Sequence, residues 1–585
     1  MLVSLLLACD PDAADPAAVP PAFGLPLLQD DQLYAGIARV DITPTITETY
    51  TDLDGDAYFE GCLTDPTASR SACVEPFDDV NGNGYFDAVW MGGWGGGGRA
   101  ARGVHDPLYA SALVLALNGE YLALVSLDAV GLLEYRASRM RSRLGAAGFS
   151  ADRIIVTSDH THQGPDTVGL WGNLDELITG LNLEYQESLE GAVYDAVYAA
   201  ATTAVAVTPA QGAVRLTEVD PTYSGVAFGG TNPDDHMLGL VRDGRDPVVV
   251  DDQVLTITLD GADGRLATVV SYSAHPEIVG YQNELLGADY VGVMRSVIEA
   301  EAGGTAMFVP SAVGGMQSAW DGTLPSVDEA GAPVFDEAGE RVFIQGGGYE
   351  YARVAGTLIA QAAISAPTDT TPWSELRVRS TPVMLPLTNL GFKVALMTDV
   401  LDQPWETLVT DASCPGMGVD VEVIACVATG IWQLQLGPTS FGTVPGELLP
   451  ELFYGVPDEP ALASAAARFG DPRFPHHPVE CDGADWGVCR EEPTDGLCPC
   501  EQMHAAPYTI SYDAAVPPLA ETLPGPYRAV IGLTNGYIGY VIPEPDYSSF
   551  TNAITGIEGN HSEEWYSAGY QMAPAIQAGW MALEE

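Results

Sequence analysis

Lysine is nearly absent from this chain. Lys393 is the only lysine among 585 residues, and lysine and arginine together number 23 against 80 aspartates and glutamates, so the formal net charge is −57. Such a charge repels the phosphates of nucleic acids and the headgroups of anionic lipids. The balance argues against a nucleic-acid partner and suits an exported or surface protein.

Several functional patterns are also missing. No apolar run of about 18 residues, the length needed to span a bilayer, follows the N-terminal segment, so no transmembrane helix is expected. The chain has no Gly-x-Ser-x-Gly elbow and no Walker motif, which weakens a serine-hydrolase or nucleotide-binding function. The Gly-rich stretch 92–98 has no strand before it, so we expect a loop beside a site rather than a dinucleotide-binding turn.

The apolar segments predict an α/β protein with layered sheets flanked by helices. Apolar residues make up 46% of the chain and charged residues 18%, which excludes a disordered protein or a coiled coil. The alternation of the segments indicates a substantial sheet. Strands are expected at 34–44, 120–128, 153–158, 253–259, 266–273 and 305–310, and helices at 131–147, 183–205, 289–302 and 350–364.

The N-terminus resembles a bacterial lipoprotein signal. Residues 1–9 are apolar and end in Leu-Leu-Ala-Cys9, which predicts a signal segment, a lipid-modified Cys9 and a membrane anchor in the bacterial cell envelope, periplasmic or cell-surface. Residues 10–31 would be a flexible tether, and 32–585 the folded domain. The segment has no basic residue, so a plain apolar N-terminus stays open as the alternative, and secretion remains possible without the anchor.

The remaining cysteines suggest disulfides. Eight cysteines follow Cys9, and an even number in an exported chain is typical of a disulfide framework. Cys62 with Cys73 and Cys414 with Cys426 are the natural local pairs. A metal clip at 498–500 is the weaker alternative, because the compartment is oxidising.

Two insertions are expected, at about 46–90 and about 400–510; the second holds six cysteines and is expected to be a disulfide-linked excursion. The first contains a repeat with oxygen-bearing side chains at relative positions 1, 3, 5 and 9, which resembles a calcium loop. The alternative, an acidic loop rich in Asx turns, stays open, because the Glu of an EF-hand at position 12 is missing. The residues are Asp52, Asp54, Asp56 and Glu60 in the first copy, and Asp79, Asn81, Asn83 and Asp87 in the second.

Two histidine segments follow predicted strands. His160-Thr-His162-Gln-Gly-Pro165 comes directly after 153–158, and His275-Pro276 follows 266–273. Residues i and i+2 of an extended segment share a face, and α/β sheets bind ligands past the carboxyl ends of strands. Imidazole nitrogens bind metals and move protons, so these histidines predict a metal site. The alternative for each is a loop histidine with its hydrogen bonds satisfied.

Five segments in order resemble the neutral/alkaline, non-lysosomal ceramidase family of zinc amidohydrolases. They are Ala35–Pro44, Gly103–Ala110, His160–Pro165, Ala274-His-Pro276 and Ala288–Gly292. Thr534-Asn-Gly-Tyr537-Ile-Gly-Tyr540 is similar to the family's Asn-x-Tyr-x-x-Tyr segment. The resemblance implies a ceramidase-like catalytic domain over 32–585, and without the family's C-terminal β domain, because the chain ends soon after Tyr540.

The resemblance also implies a zinc site. Its ligands would be His160, His275, Glu447 (in Val444-Pro-Gly-Glu447) and Tyr540, and His162 would be the catalytic acid–base histidine. Zinc lowers the pKa of bound water and polarises a carbonyl, while a histidine passes a proton to the leaving amine. The implied reaction is cleavage of the N-acyl amide of ceramide or a related N-acyl lipid.

Two departures from the family leave other functions open. No Asn-Arg-Ser segment stands between the histidine motifs; Arg242 and Arg245 lie in that interval in a different context. The family's Gly-Asp-Val-Ser-Pro-like stretch is replaced by Val313-Gly-Gly-Met-Gln317. The alternatives are a hydrolase of a different amide or ester, and an inactive surface lipoprotein stabilised by calcium.

Overall fold

The computed structural model describes residues 24, 31–53, 55–59, 75–94, 97–173, 178–216, 240, 249, 251–315, 323–398, 400–420, 422–455, 517–547 and 562–584. The predicted signal segment with Cys9, nearly all of the tether and the pair Cys62–Cys73 lie outside these residues. No helix in the described ranges combines the length and the apolar character needed to cross a membrane.

Strands and helices alternate along the chain. The strands are β1 (Tyr34–Asp41), β2 (Gly103–Val104), β3 (Tyr109–Leu117), β4 (Glu120–Leu127), β5 (Ile154–Ser158), β6 (Val205–Ala206), β7 (Thr208–Arg215), β8 (Gln253–Gly261), β9 (Gly264–Tyr272), β10 (Leu285–Leu286), β11 (Thr305–Pro310), β12 (Thr323–Pro325), β13 (Phe343–Gln345), β14 (Leu376–Pro386), β15 (Cys426–Leu436), β16 (Thr439–Thr443), β17 (Glu447–Leu448), β18 (Tyr527–Ile531) and β19 (Tyr540–Val541). The helices are α1 (Glu134–Ala146), α2 (Leu183–Thr202), α3 (Asp289–Ala302), α4 (Tyr349–Ser365), α5 (Leu390–Met397), α6 (Pro450–Tyr454), α7 (Ser562–Trp565) and α8 (Met572–Glu584).

Two sheets of similar construction form the centre. The first has the order β5-β4-β3-β1-β6 and the second β11-β9-β8-β7, and in each the first pair is parallel and the others antiparallel. One apolar core holds side chains from both sheets, among them Leu113 and Leu124 from the first and Leu255 and Val269 from the second. The sheets therefore pack face to face.

Helices cover the outer faces of these two sheets. Side chains of α1 and α2 share an apolar core with the first sheet, and side chains of α3 and α4 share another with the second. Strand β3 is apolar along almost its whole length because both of its faces are buried. The predicted α/β class is confirmed, with β5, α3 and β11 at or within one residue of the expected bounds.

The expected excursion at 400–510 differs from the structure in its described part. Strand β15 pairs with β14 over eleven positions, and β16 pairs with β15 and β18, so this stretch belongs to a third sheet. The sequence Cys426–Leu436 is rich in β-branched and apolar residues, and the cluster of cysteines around it obscured that pattern. The predicted disulfide Cys414–Cys426 is confirmed, and it attaches the preceding loop to the start of β15.

Candidate metal centre

His160 is placed by β5 and by the backbone that follows it. The residue has a φ of 72°, a left-handed conformation that costs energy for a side chain with a Cβ. Its Nδ1 lies 2.5 Å from the carbonyl oxygen of Val130. A proton on Nδ1 satisfies that carbonyl and leaves the Nε2 lone pair free for a metal.

His275 comes from the second sheet, three residues after β9. The carbonyl of Ala274 accepts a hydrogen bond of 2.6 Å from the Tyr290 hydroxyl, which fixes the loop. The ring of His275 lies 4.8 Å from the ring of His160, centroid to centroid. Both side chains are buried. The segments that follow the carboxyl ends of β5 in the first sheet and β9 in the second sheet therefore meet at one enclosed point.

Glu447 and Tyr540 stand side by side on a short parallel ladder. Strands β17 and β19 place Glu447 directly opposite Tyr540. The hydroxyl of Tyr537 donates a 2.8 Å hydrogen bond to Glu447 Oε1, and this leaves Oε2 turned toward the histidines. The sequence indicates Tyr537 only as part of a motif, and the structure shows that its hydroxyl positions the Glu447 carboxylate.

Asn535 links the tyrosine segment to the first sheet. Its side-chain oxygen accepts from the Val156 N–H at 3.0 Å, and its own N–H donates to the Val156 carbonyl at 2.7 Å. The residue has a φ of 51°, which asparagine tolerates better than most residues. The Asn of the Asn-x-Tyr-x-x-Tyr segment therefore holds the edge of β5, the strand that leads to His160.

The distances among these acceptor atoms fit a tetrahedral ion. Glu447 Oε2 lies 3.1 Å from His275 Nε2 and 3.4 Å from His160 Nε2. The Tyr540 hydroxyl lies 3.4 Å from His275 Nε2. Ligands of a tetrahedral zinc with bonds of about 2.0–2.1 Å stand roughly 3.3 Å apart. The three distances among these two nitrogens and two oxygens are therefore compatible with a bound metal ion.

His162 lies beside these four side chains and forms a cluster with two of them, His160 and His275. Its Nε2 is 3.4 Å from His160 Nε2, and the ligand atoms of His160, His162 and His275 lie within 4.8 Å of one another. Its ring is perpendicular to Trp94, with centroids 5.4 Å apart. A Cβ added at Gly93, whose φ is +96°, would lie 2.2 Å from the His162 ring. The Gly-rich stretch is therefore built to pack against this histidine.

Burial and neighbouring charges set the protonation of the site. Burial, together with His160 and His275, holds the pKa of His162 well below its ordinary value. Burial alone would raise the pKa of Glu447, but the two histidines hold it well below the usual range. Burial and the Glu447 charge raise the pKa of Tyr540, and a bound divalent cation would act in the opposite direction. These directions favour a neutral ring for His162 and an ionised carboxylate for Glu447, and the carboxylate is the form of glutamate that binds a metal ion.

Arg99 is a buried arginine near this centre. Its Nη2 donates to the backbone carbonyls of His162 and Gly92, and burial lowers the pKa of the guanidinium to about 10. These contacts hold the backbone of the histidine and glycine segments. Arg242 and Arg245, the two arginines in the sequence interval of the family's Asn-Arg-Ser segment, lie outside the described residues.

The second calcium-like repeat is exposed and has internal hydrogen bonds. Asp79 Oδ1 accepts from the backbone N–H groups of Gly82 and Asn83 at 2.7 and 3.1 Å. Asn81 Nδ2 and Asn83 Nδ2 donate to Asp87 Oδ2 at 2.5 and 2.8 Å. The four predicted residues of this copy lie together on one loop, where donor groups occupy some of their oxygens.

The first calcium-like repeat is described only in part. Asp52 Oδ1 accepts from the Gly55 N–H at 2.6 Å, and Asp56 Oδ1 accepts from the Tyr58 N–H at 2.9 Å. The two other predicted residues of this copy, Asp54 and Glu60, lie outside the described residues.

The fold is similar to that of solved ceramidases. A crystal structure of neutral ceramidase from Pseudomonas aeruginosa matches with a TM-score of 0.50 and 14% identity, over 94% of this chain and 75% of that chain. A ceramidase complexed with C2 matches with a TM-score of 0.53 and 14% identity, over 95% of this chain and 75% of that chain. No family model and no curated protein matches the sequence. The likeness shows a ceramidase-like fold.

Proposed function

We propose that this protein is a zinc-dependent amidohydrolase that cleaves the N-acyl amide of ceramide or a related N-acyl lipid. The observation that carries the proposal is the convergence of His160, His275, Glu447 and Tyr540 at zinc-ligand spacing, with a histidine beside them. The similarity to ceramidase structures supports the amide and lipid part of the proposal.

A zinc ion held by these four side chains would supply Lewis acidity and lower the pKa of a water ligand toward about 7. The protein's own contribution is positioning. Val130 fixes the tautomer of His160, Tyr537 fixes the carboxylate of Glu447, and burial keeps bulk water out of the cluster.

His162 is the acid–base group in this proposal. Its neutral ring has Nε2 turned toward the ligand cluster, so that atom takes a proton from the attacking water. The same proton then passes to the nitrogen of the leaving amine, so that the amide becomes a carboxylic acid and a free amine. Trp94 and Tyr281, which are in ring contact with each other beside His162, form an apolar wall on that side.

A hydrolase of a different amide or of an ester is the second candidate. The sequence has no Asn-Arg-Ser segment between the histidine motifs, so the arginine that assists ceramide cleavage in the family is not identified here. Arg99 lies near the site, but its Nη2 donates to the backbone carbonyls of Gly92 and His162, which leaves this group less able to bind a substrate. Both observations favour the second candidate. The same centre serves any acyl compound whose carbonyl reaches it, since the metal does not select the leaving group.

Release of fatty acid tests the proposal. The purified chain, its chelator-treated form and the same form reloaded with zinc are assayed on ceramide, an N-acylethanolamine and a fatty-acid ester of matched acyl length. Release from ceramide that disappears with the chelator and returns with zinc is expected. His162→Gln tests the site, and His105→Gln, an exposed histidine stacked on Tyr349, is the matched control.

The outcomes separate the candidates. Zinc-dependent cleavage of the ester or of the other amide alone would favour the second candidate. No cleavage of any of the three by a zinc-loaded protein would contradict both and favour an inactive surface lipoprotein. The lipid anchor at Cys9, the envelope location and calcium binding remain predictions; mass spectrometry of the N-terminal peptide from a membrane fraction tests the anchor.

A further inference from the structure

His162 has one nitrogen whose role the proposed reaction leaves unexplained. Its Nε2 faces the ligand cluster, but Nδ1 is buried and has no hydrogen-bond partner among the described residues. A buried imidazole nitrogen without a partner is costly, and it leaves the tautomer of the ring unspecified. An acid–base histidine needs one defined tautomer, with the free lone pair on the nitrogen that faces the reaction.

The group that faces His162 Nδ1 is the carboxylate of Glu277. Glu277 Oε2 lies 3.6 Å from Nδ1, and the two side chains are 9% and 8% exposed. This distance is slightly longer than a hydrogen bond, and catalytic hydrogen bonds are often long before the ligands of a site are bound. The carboxylate stands on the Nδ1 side of the ring, away from His160.

The backbone ties the two segments together. The N–H of His162 donates to the Pro276 carbonyl at 2.9 Å, and the Gly280 N–H donates to the Glu277 carbonyl at 3.0 Å, which closes a turn. Gln163 Nε2 donates to the Gly280 carbonyl at 3.2 Å. These bonds fix the Glu277 segment against the His162 segment, so the facing of Oε2 and Nδ1 follows from the fold.

We propose that Glu277 is the positioning residue of His162: it accepts a hydrogen bond from Nδ1–H and thereby keeps the Nε2 lone pair directed at the reacting water. In each turnover the proton moves from water to Nε2 and then to the leaving nitrogen, and Glu277 takes none. A carboxylate on the distal nitrogen also raises the basicity of an imidazole. The ceramidase-like motif in this chain ends at Pro276, so the resemblance did not indicate Glu277.

This inference rests on the proposed hydrolase function, so its test includes a readout that needs no substrate. The full chain is labelled with ¹⁵N-histidine; nine histidines keep the spectrum assignable, and His162→Gln identifies the signal. The expected result is an Nδ1–H tautomer for His162 in the wild type and a shifted tautomer ratio in Glu277→Ala. An Nε2–H tautomer in the wild type, or a ratio that Glu277→Ala leaves unchanged, would overturn the proposal whatever the activity.

Kinetics give the second arm on whichever amide or ester is cleaved. Glu277→Gln and Glu277→Ala are expected to lower kcat by about 10- to 100-fold, with KM and zinc content unchanged, and Glu277→Asp to recover part of the loss. Glu284→Gln is the control, since that carboxylate in the same segment pairs with Arg102 instead. Full kcat in Glu277→Gln would overturn the proposal. An unfolded Glu277→Ala is recognised by circular dichroism, and the isosteric Gln variant then decides.

Discussion

Two groups of oxygen and nitrogen side chains in this protein resemble metal sites, and their surroundings differ. In the buried cluster, Glu447 Oε2 lies 3.1 Å from His275 Nε2, an atom that accepts when the imidazole carries its proton on Nδ1 and donates otherwise. In the exposed loop, the acceptor oxygens of Asp79 and Asp87 face backbone N–H groups and asparagine amides. Acceptors that converge without a donor between them need a cation or a proton to be stable.

The two sites differ in how far their geometry is fixed before an ion binds. The buried cluster is held by groups behind it, Val130 for one histidine and Tyr537 for the glutamate, so its geometry is prepared before an ion arrives. In the exposed loop, several of the acceptor oxygens already accept hydrogen bonds from groups of the same loop. Any calcium that binds there competes with internal hydrogen bonds and water, and we expect an affinity near the extracellular range of about 10⁻⁴–10⁻³ M.

The largest expected effect comes from the ligands of the buried cluster. His275→Ala and Glu447→Gln should lower the hydrolytic rate by more than about 1,000-fold, because the Lewis acid is lost with its ligands. The rate is measured on the best substrate of the release assay, at saturating substrate and zinc. Retention of a tenth of the activity in either variant would remove the distinction between the two sites.

His162 should separate metal binding from turnover. His162→Ala is expected to keep zinc and lower kcat by about 10²- to 10⁴-fold, the range of a positioned acid–base group. Zinc content by elemental analysis and kcat are measured on the same preparation. Loss of the metal together with activity would make His162 a third ligand, and full activity would remove its role.

The packing of the Gly-rich stretch against His162 predicts a moderate effect. Gly93→Ala should destabilise the fold by about 2–3 kcal/mol and lower kcat, because the new methyl group overlaps the His162 ring. Gly348→Ala is the matched control, with the same φ of +96° and open space around the Cβ position. Its ψ of 178° places Gly348 in a region that almost only glycine adopts, so the variant should lose about 1–3 kcal/mol of stability through backbone strain and leave kcat unchanged. Equal effects of the two on kcat would show that the contact with His162 is unimportant.

The smallest effect is expected in the exposed loop. Calcium at about 5 mM should raise the stability of the wild type by about 1 kcal/mol, and Asp79→Asn should abolish that increment. Asp336→Asn is the control, since Asp336 Oδ1 accepts from the N–H groups of Ala338 and Glu340 in a similar turn without the repeat. Thermal melts with calcium and with EGTA measure the increment. Micromolar binding, or equal responses in both variants, would contradict the comparison.

The sequence predicted those strands and helices whose own residues show a regular apolar pattern. The hairpin β8–β9 and helix α3 have regular apolar patterns and clear ends, and their predicted bounds agree closely with the structure. The two histidine segments were predicted to lie past strand ends because each directly follows an apolar strand. Local patterns of this kind depend on neighbours in the chain, so a single sequence contains them.

The rest depended on contacts between distant segments. The family resemblance indicated Glu447 and Tyr540 as ligands, but Glu447 lies 172 residues from His275, and only the ladder of β17 with β19 shows that it stands beside Tyr540. The contact of Tyr537 with Glu447 and the facing of Glu277 and His162 have no periodic signal. The segments of β15 and β16 were expected to be part of an excursion because many cysteines lie in the same stretch of sequence. Their pairing with β14 and with each other, which makes them strands of the third sheet, is visible only in the structure.

The central claim is that one zinc ion binds among His160, His275, Glu447 and Tyr540. Anomalous X-ray diffraction from crystals of the zinc-loaded protein, recorded above and below the zinc edge, tests it most directly. The account predicts a single strong peak at about 2.0–2.2 Å from one atom of each of these four side chains, with His162 outside bonding distance. No peak there, or a peak bonded to the three histidines without Glu447 and Tyr540, would contradict the account.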